Sequence, residues 1–242
     1  MNVLVIAAHP DDEALGCGGT MARHAACGHR VDTIFVADGE MARSGKARPH
    51  QAGARAAGDG PSQPNLPARR AAAEAAAQHL GSNPPRFLDL PDNRLDELAL
   101  LDVVQPIERL TAGMMPQIIY THHMGDLNVD HQMVARAVLT AFRPQPGSSV
   151  QAIYGFEVMS STGWKGGLDP FEPVHFVDIV HTMEAKHAAL RCYAAEMRAF
   201  PHARSHDGVD ALARFRGAVQ GLHAAEAFAV YRQHAQFAPV IR

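Results

Sequence analysis

A run of apolar β-formers, Val3-Leu4-Val5-Ile6-Ala7-Ala8, ends on His9-Pro10-Asp11-Asp12-Glu13, and a small-residue turn, Gly16-Cys17-Gly18-Gly19-Thr20, follows. One imidazole and three carboxylates are thus crowded where a buried strand hands over to a helix. Burying so many ionisable groups is costly unless a cation or an exposed site takes up the charge. His9 and Asp12 lie three residues apart across the turn, so both can face one side. An imidazole and a carboxylate, with a third ligand from elsewhere and an open position for water, make a catalytic zinc set. Asp11 sits beside these ligands but points differently, which suits a general base acting on water at the metal. Asp11 or Asp12 can equally cap the following helix without excluding that chemistry.

The elements that must position these groups follow from hydrophobic periodicity. Residues 2–8 read as a buried strand, 12–27 as a helix closing near Gly28, and 30–37 as a second strand. A Gly-, Pro-, Ala- and Arg-rich stretch at about 44–67 reads as a long loop. A helix at 68–80, a strand at 86–90, a helix at 95–112, a strand at 117–121 and a helix at 130–142 continue the alternation. Beyond about residue 147 the pattern changes. Strands are expected at 150–158 and 174–179, helices at 181–199 and 207–219, and either helix or a final strand at 223–232. This order predicts an α/β fold with a mostly parallel sheet covered on both faces and an elaborated C-terminal third. No linker divides the chain, so residues 1–242 are expected to form one domain.

Open parallel sheets bind ligands outside the carboxyl ends of their strands. There this sequence places His9–Glu13, Asp38-Gly39-Glu40, Pro91-Asp92-Asn93-Arg94 and His122-His123-Met124-Gly125-Asp126-Leu127-Asn128-Val129-Asp130-His131. Four strand ends bearing acids, amides and imidazoles point to one shared crevice. His131, opening a helix from that edge, is the preferred third metal ligand.

Composition narrows the partners. Apolar residues are 47% and charged residues 19%, as in ordinary soluble domains. The net charge of -3, with dispersed Lys and Arg, gives no support for nucleic acid or an anionic membrane surface as partner. Cys17, Cys27 and Cys192 are scattered and lack C-x-x-C spacing, which argues for a reducing compartment. No apolar run is long enough to span a bilayer, and the N-terminus lacks a signal-peptide pattern, so a cytoplasmic location is expected. A homo-oligomer is compatible with the sequence. Glu184 and His187 read as a solvated helix face, and His202 and His206, flanking Arg204, as loop residues touching substrate or solvent. Gly16–Gly19 lacks dinucleotide-fingerprint spacing. Trp164 suits either stacking on a sugar ring or packing on the body of the protein.

At His9-Pro10-Asp11-Asp12-Glu13, the Gly16–Gly19 turn, Asp38-Gly39-Glu40 and Asp130-His131, the chain resembles the LmbE-like (PIG-L) deacetylases, metal-dependent enzymes acting on N-acetylglucosamine-containing compounds. The likeness extends to Ser160-Ser161-Thr162-Gly163-Trp164, Arg216-Gly217 and Ala225-Glu226-Ala227-Phe228. It implies a three-layer Rossmann-like fold, and His9, Asp12 and His131 as ligands of Zn2+ or another divalent metal such as Fe2+. Asp11 would take a proton from water attacking the acetamide and return it to the departing amine. Many members carry a histidine three residues before the ligand histidine, where it helps stabilise the oxyanion; here that residue is Asn128, an amide that donates a hydrogen bond but no full charge. Asp126, His122 and His123 are the other groups able to approach. The resemblance further places Arg69 (rather than Arg70), Asp92, Glu13 and Asp130 against an N-acetylated amino-sugar substrate; Arg43, just past Asp38-Gly39-Glu40, reads as a solvated loop cation sooner than as a further contact. Ala72 stands where a glutamate is usual. The expected activity is N-deacetylation. Alternatives are an amidase on a larger sugar-thiol or acyl conjugate, and a catalytically silent, metal-bearing sugar-binding protein.

Overall fold

A computed structural model describes residues 1–37, 66–164 and 169–235. The expected loop at 44–67, and with it Asp38-Gly39-Glu40 and Arg43, lies outside those residues except for its last two positions, which open a helix. The N-terminal elements are β1 (Asn2–Ala7), α1 (Asp12–Ala26), β2 (Arg30–Ala37), α2 (Leu66–Leu80), β3 (Arg86–Leu90), α3 (Leu100–Thr111), β4 (Ile118–His122) and α4 (Val129–Ala141). The C-terminal part adds β5 (Ala152–Phe156), α5 (Met159–Thr162), β6 (His175–Asp178), α6 (Met183–Cys192), α7 (His206–Ala218) and β7 (Ala225–Gln233).

The strands form one sheet in the order β3-β2-β1-β4-β5-β7-β6. The first five run parallel, whereas β7 is antiparallel to both β5 and β6. Alternate residues of β1 feed two cores. Val3, Val5 and Ala7 pack with residues of α1, α2 and α6, while Leu4 and Ile6 pack with α3 and α4. That is the three-layer α/β arrangement expected from the sequence. Burial on both faces explains why β1 reads as an unbroken apolar run instead of an alternating one. Among the described residues no helix is long and apolar enough to cross a membrane.

Two expected elements are cut differently, and one left open resolves to a strand. The helix expected over 95–112 is a 3-10 turn at Leu95–Glu97, an extended step, and then α3. The Leu95 and Asn93 N–H groups donate to the buried Asp130 carboxylate, which pulls this stretch off the helical path. The helix expected over 181–199 stops at Cys192, where Tyr193 leaves it to donate from its hydroxyl to Glu13. The ambiguous segment at 223–232 is a strand, β7.

Helix α1 breaks at Cys17 (φ −144°, ψ 19°). Leu15 C=O and Gly19 N–H are partners in an unbroken helix. Here Leu15 C=O accepts from Lys186 Nζ at 2.8 Å, and the Gly19 and Thr20 N–H groups donate to Glu226 at 2.9 and 2.7 Å. Lys186 and Glu226 are themselves paired at 2.6 Å, both buried. An ion pair from the C-terminal third thus fills the opened turn. Gly16 has a separate cause: a Cβ there would lie 2.2 Å from the Phe156 ring.

Lys186→Met leaves Glu226 buried without its cation, and such losses cost about 3–5 kcal/mol. The expected outcome is a clear fall in the urea midpoint at unchanged m-value; a wild-type midpoint would show that the pair does not hold the break.

Candidate active site

The site lies at the carboxyl ends of β1, β3 and β4. His9 follows β1 directly, and its ring has two differently occupied nitrogens. Nε2 lies 2.9 Å from Asp92 Oδ1 and 3.0 Å from Asp130 Oδ2, while Nδ1 lies 3.2 Å from Asp12 Oδ2. The carboxylates behind Nε2 are already engaged: Asp130 accepts the Asn93 and Leu95 N–H groups, and Asp92 accepts the Asn93 amide. They hold the ring by Nε2 and turn Nδ1 toward Asp12, the nitrogen a cation would take in place of a proton. Asp12 itself sits at the start of α1, and its Oδ2 also accepts the His9 N–H at 2.9 Å.

His131 comes from the first turn of α4. Its Nε2 is 3.2 Å from Asp12 Oδ2 and its Nδ1 is 3.2 Å from Asp126 Oδ1, close enough for charge pairing but not aligned as hydrogen bonds. His9, Asp12 and His131 therefore present ligand atoms within 4.8 Å of one another. Asp12 Oδ1 and His131 Nε2 are buried and have no hydrogen-bond partner. Two imidazole nitrogens and a carboxylate, with orphaned atoms among them, fit a divalent cation of the zinc or iron type. His9, Asp92 and Asp130 also converge within 4.8 Å, but backbone and side-chain donors occupy that second set.

Electrostatics agree with a cation site. Burial alone would lower His131, yet the Asp12 and Asp126 carboxylates raise it to about 9. His9 is likewise raised well above its usual value, burial being outweighed by hydrogen bonds to Asp12, Asp130 and Asp92.

Asp11 has φ 127°, a left-handed backbone that costs energy for any residue but glycine. Its side chain does not cap α1. Instead Oδ2 accepts from Arg204 Nη1 at 2.7 Å, and its N–H donates to Glu13 Oε2 at 3.1 Å. Burial lifts Asp11 to about 6, with the Arg204 charge opposing. That places a proton acceptor near neutral pH, beside the candidate ligands.

The remaining expected site residues divide. Asp130 and Asp92, expected against substrate, sit behind His9 and are buried, because the ring needs partners on Nε2. Glu13 is also turned inward, with Tyr193 on Oε1 and the Asp11 N–H on Oε2, and burial raises it to about 8. The Asn128 side-chain oxygen caps α4 by accepting the Asp130 N–H at 2.9 Å. Arg69 pairs with Glu196, which lies 3.8 Å from Arg204, so it belongs to the same rim. Trp164 is 64% exposed and donates to Ser160 C=O. Arg204, Tyr193 and Glu196 were not singled out from sequence; they stand in the stretch after α6, and their partners Asp11, Glu13 and Arg69 lie 193, 180 and 127 residues away, with no local motif.

The family model described as "PIG-L: GlcNAc-PI de-N-acetylase" matches residues 4–142, more than half of the chain. The chain belongs to the PIG-L family. Among curated relatives, the 4-oxalmesaconate hydratase of Pseudomonas putida is 27% identical over 207 residues, 81% of this chain and 74% of that protein. The uncharacterized deacetylase YaiS of Escherichia coli is 27% identical over 164 residues, 66% of this chain and 75% of that protein. Two solved structures share the fold. The N,N'-diacetylchitobiose deacetylase of Pyrococcus horikoshii has a TM-score of 0.72 at 20% identity, covering 96% of this chain and 84% of its own. GalB, the 4-carboxy-2-hydroxymuconate hydratase of Pseudomonas putida, has a TM-score of 0.74 at 20% identity, covering 98% of each. As a PIG-L member the chain is an enzyme, and its relatives are named both as deacetylases and as hydratases.

Because His131 holds a proton up to about pH 9, a cation entering the site must displace it. Zinc affinity is therefore expected to rise from pH 6 toward 9, with proton release on binding. Calorimetry in buffers of differing ionisation heat measures this; pH-independent affinity without proton release would contradict it.

Proposed function

We propose that this PIG-L protein is a metal-dependent N-deacetylase that releases acetate from an N-acetylated amino sugar or its conjugate. The observation that carries the reading is the convergence of His9, Asp12 and His131 on one point, with the strained, Arg204-paired Asp11 beside it. A divalent cation held by those three residues, zinc by the nature of the donors, supplies Lewis acidity at the acyl oxygen and brings a water pKa to about 7.

The chain's own residues then do the proton work. Asp11 accepts a proton from water as the water oxygen bonds to the acyl carbon and the C=O pair moves onto oxygen. As that pair returns and the C–N bond breaks, Asp11 passes the proton to the departing nitrogen, leaving acetate and a free amine. Asp92 and Asp130 keep the His9 ring oriented throughout. Arg69 and the exposed face of Trp164 are the groups we assign to the sugar, and Trp164 offers a flat apolar surface suited to a pyranose.

A second reading is hydration of an unsaturated acid, favoured by one observation: the hydratase relative aligns with 81% of the chain, the deacetylase YaiS with 66%.

Asp11→Asn is expected to lower kcat by about 10²–10⁴ while metal content stays at the wild-type level. His131→Ala is expected to lose the metal. Near-normal turnover by Asp11→Asn would remove the assigned base. Acetate release across a panel of N-acetylglucosamine derivatives, run beside loss of 4-oxalmesaconate, separates the readings. Acetate from one of the sugars supports ours; turnover of 4-oxalmesaconate alone replaces it with hydration.

A further inference from the structure

Attack on an acetamide develops negative charge on the acyl oxygen, and the groups that the sequence offers for that charge are engaged to different degrees. Asn128 has its side-chain oxygen on the Asp130 N–H, at the cap of α4, which leaves only its neutral amide NH2 to donate. His123 directs Nε2 at the Asp169 carbonyl, 3.0 Å away, so its ring N–H is committed. His122 lies stacked on His131 at 3.9 Å between ring centres, and its Nε2 accepts the Ala8 N–H, which leaves the ring proton on a buried Nδ1 with no hydrogen-bond partner. Asp126 is an anion that already accepts from the Asn128 N–H, Ser161 and Thr162.

Arg204 is placed differently. It comes from the stretch between α6 and α7, and two of its nitrogens are fixed: Nη1 on Asp11 Oδ2 at 2.7 Å and Nε on Ser160 Oγ at 3.1 Å. Nη2 has no hydrogen-bond partner among the described residues. The side chain is 19% exposed, so the charge is largely withdrawn from solvent yet open on one side. Its field reaches Asp12, Glu196 and Asp126 as well as Asp11.

We propose that Arg204 is a further catalytic residue, whose guanidinium takes up the charge that develops on the acyl oxygen. This rests on the deacetylation reading above. Before attack, the Asp11 carboxylate is the anion bonded to Arg204, with Glu196 farther off at 3.8 Å. As the water oxygen bonds to carbon, its proton passes to Asp11 and the C=O pair moves onto the acyl oxygen. One negative charge disappears from Asp11 as another appears on that oxygen. The guanidinium exchanges one anion for the other without a net change of charge in the site. An interaction gained only as the transition state forms raises kcat, whereas one already made to substrate does not.

The test uses zinc-loaded protein and methylphosphonate, a tetrahedral anion with the shape and charge of the attacked acyl group. Calorimetric titration is expected to show binding to wild type, about 10²-fold weaker binding to Arg204→Gln, and an intermediate value for Arg204→Lys. Wild-type-like affinity in Arg204→Gln, or no binding by wild type, overturns the assignment. Should Arg204→Gln fail to fold, wild-type crystals soaked with methylphosphonate decide. A guanidinium nitrogen within hydrogen-bond distance of a phosphonate oxygen is expected, and an anion that Arg204 does not touch overturns the assignment. Neither readout depends on turnover. Failure to release acetate from any sugar would therefore count against the deacetylation reading, and Arg204-independent anion binding against this one.

Discussion

Every feature of the site depends on how His9 is held. A histidine at the end of a buried strand can turn either ring nitrogen inward, and here two carboxylates settle the choice. Asp92 and Asp130 lie 2.9 and 3.0 Å from Nε2, and both are buried. With that nitrogen occupied, Nδ1 faces Asp12 and, through it, His131. The same Asp130 carboxylate draws in the Asn93 and Leu95 N–H groups, so one side chain fixes the ligand ring and shapes the loop after β3. Three carboxylates around one imidazole would be a poor arrangement for a stable core alone. It is a sound one for gathering positive charge.

The C-terminal third supplies what the parallel half lacks. Arg204 reaches Asp11, Tyr193 reaches Glu13, and the Lys186–Glu226 pair fills the break in α1. All three contacts converge on the segment from Asp11 to Thr20. The helix that carries Asp12 is thus positioned by β1 at one end and by residues more than 160 positions later at the other. This explains why the sheet continues beyond β5: β7 places Glu226 under α1, and the chain on either side of it delivers the long-range partners.

The sequence made the strand ends legible because that signal is local. A β-run that stops on His-Pro-Asp-Asp-Glu, or a helix that opens on Asp-His, needs no knowledge of distant neighbours. Hence His9, Asp12 and His131 could be grouped before any coordinates. The strand-helix alternation was equally readable, with boundaries shifted by one or two residues in most elements. Roles set by side-chain direction were not. Asp92, Asp130 and Glu13 were expected against substrate, yet they face inward, since a carboxylate near a ligand histidine can serve either as its support or as a solvent-facing contact. That the Asn128 oxygen caps α4, leaving only the amide NH2 as a donor, was equally beyond the sequence. Arg204 was legible only as a cation in a loop, because its partner stands 193 residues away.

The central claim is that the site holds one cation on the Nδ1 side of His9. Anomalous diffraction from zinc-loaded crystals tests it most directly. One peak per chain is expected among His9 Nδ1, Asp12 and His131 Nε2, with Asp92 and Asp130 still bonded to Nε2. A peak on the Nε2 side, among Asp92 and Asp130, or no peak at His9 at all, would contradict the account.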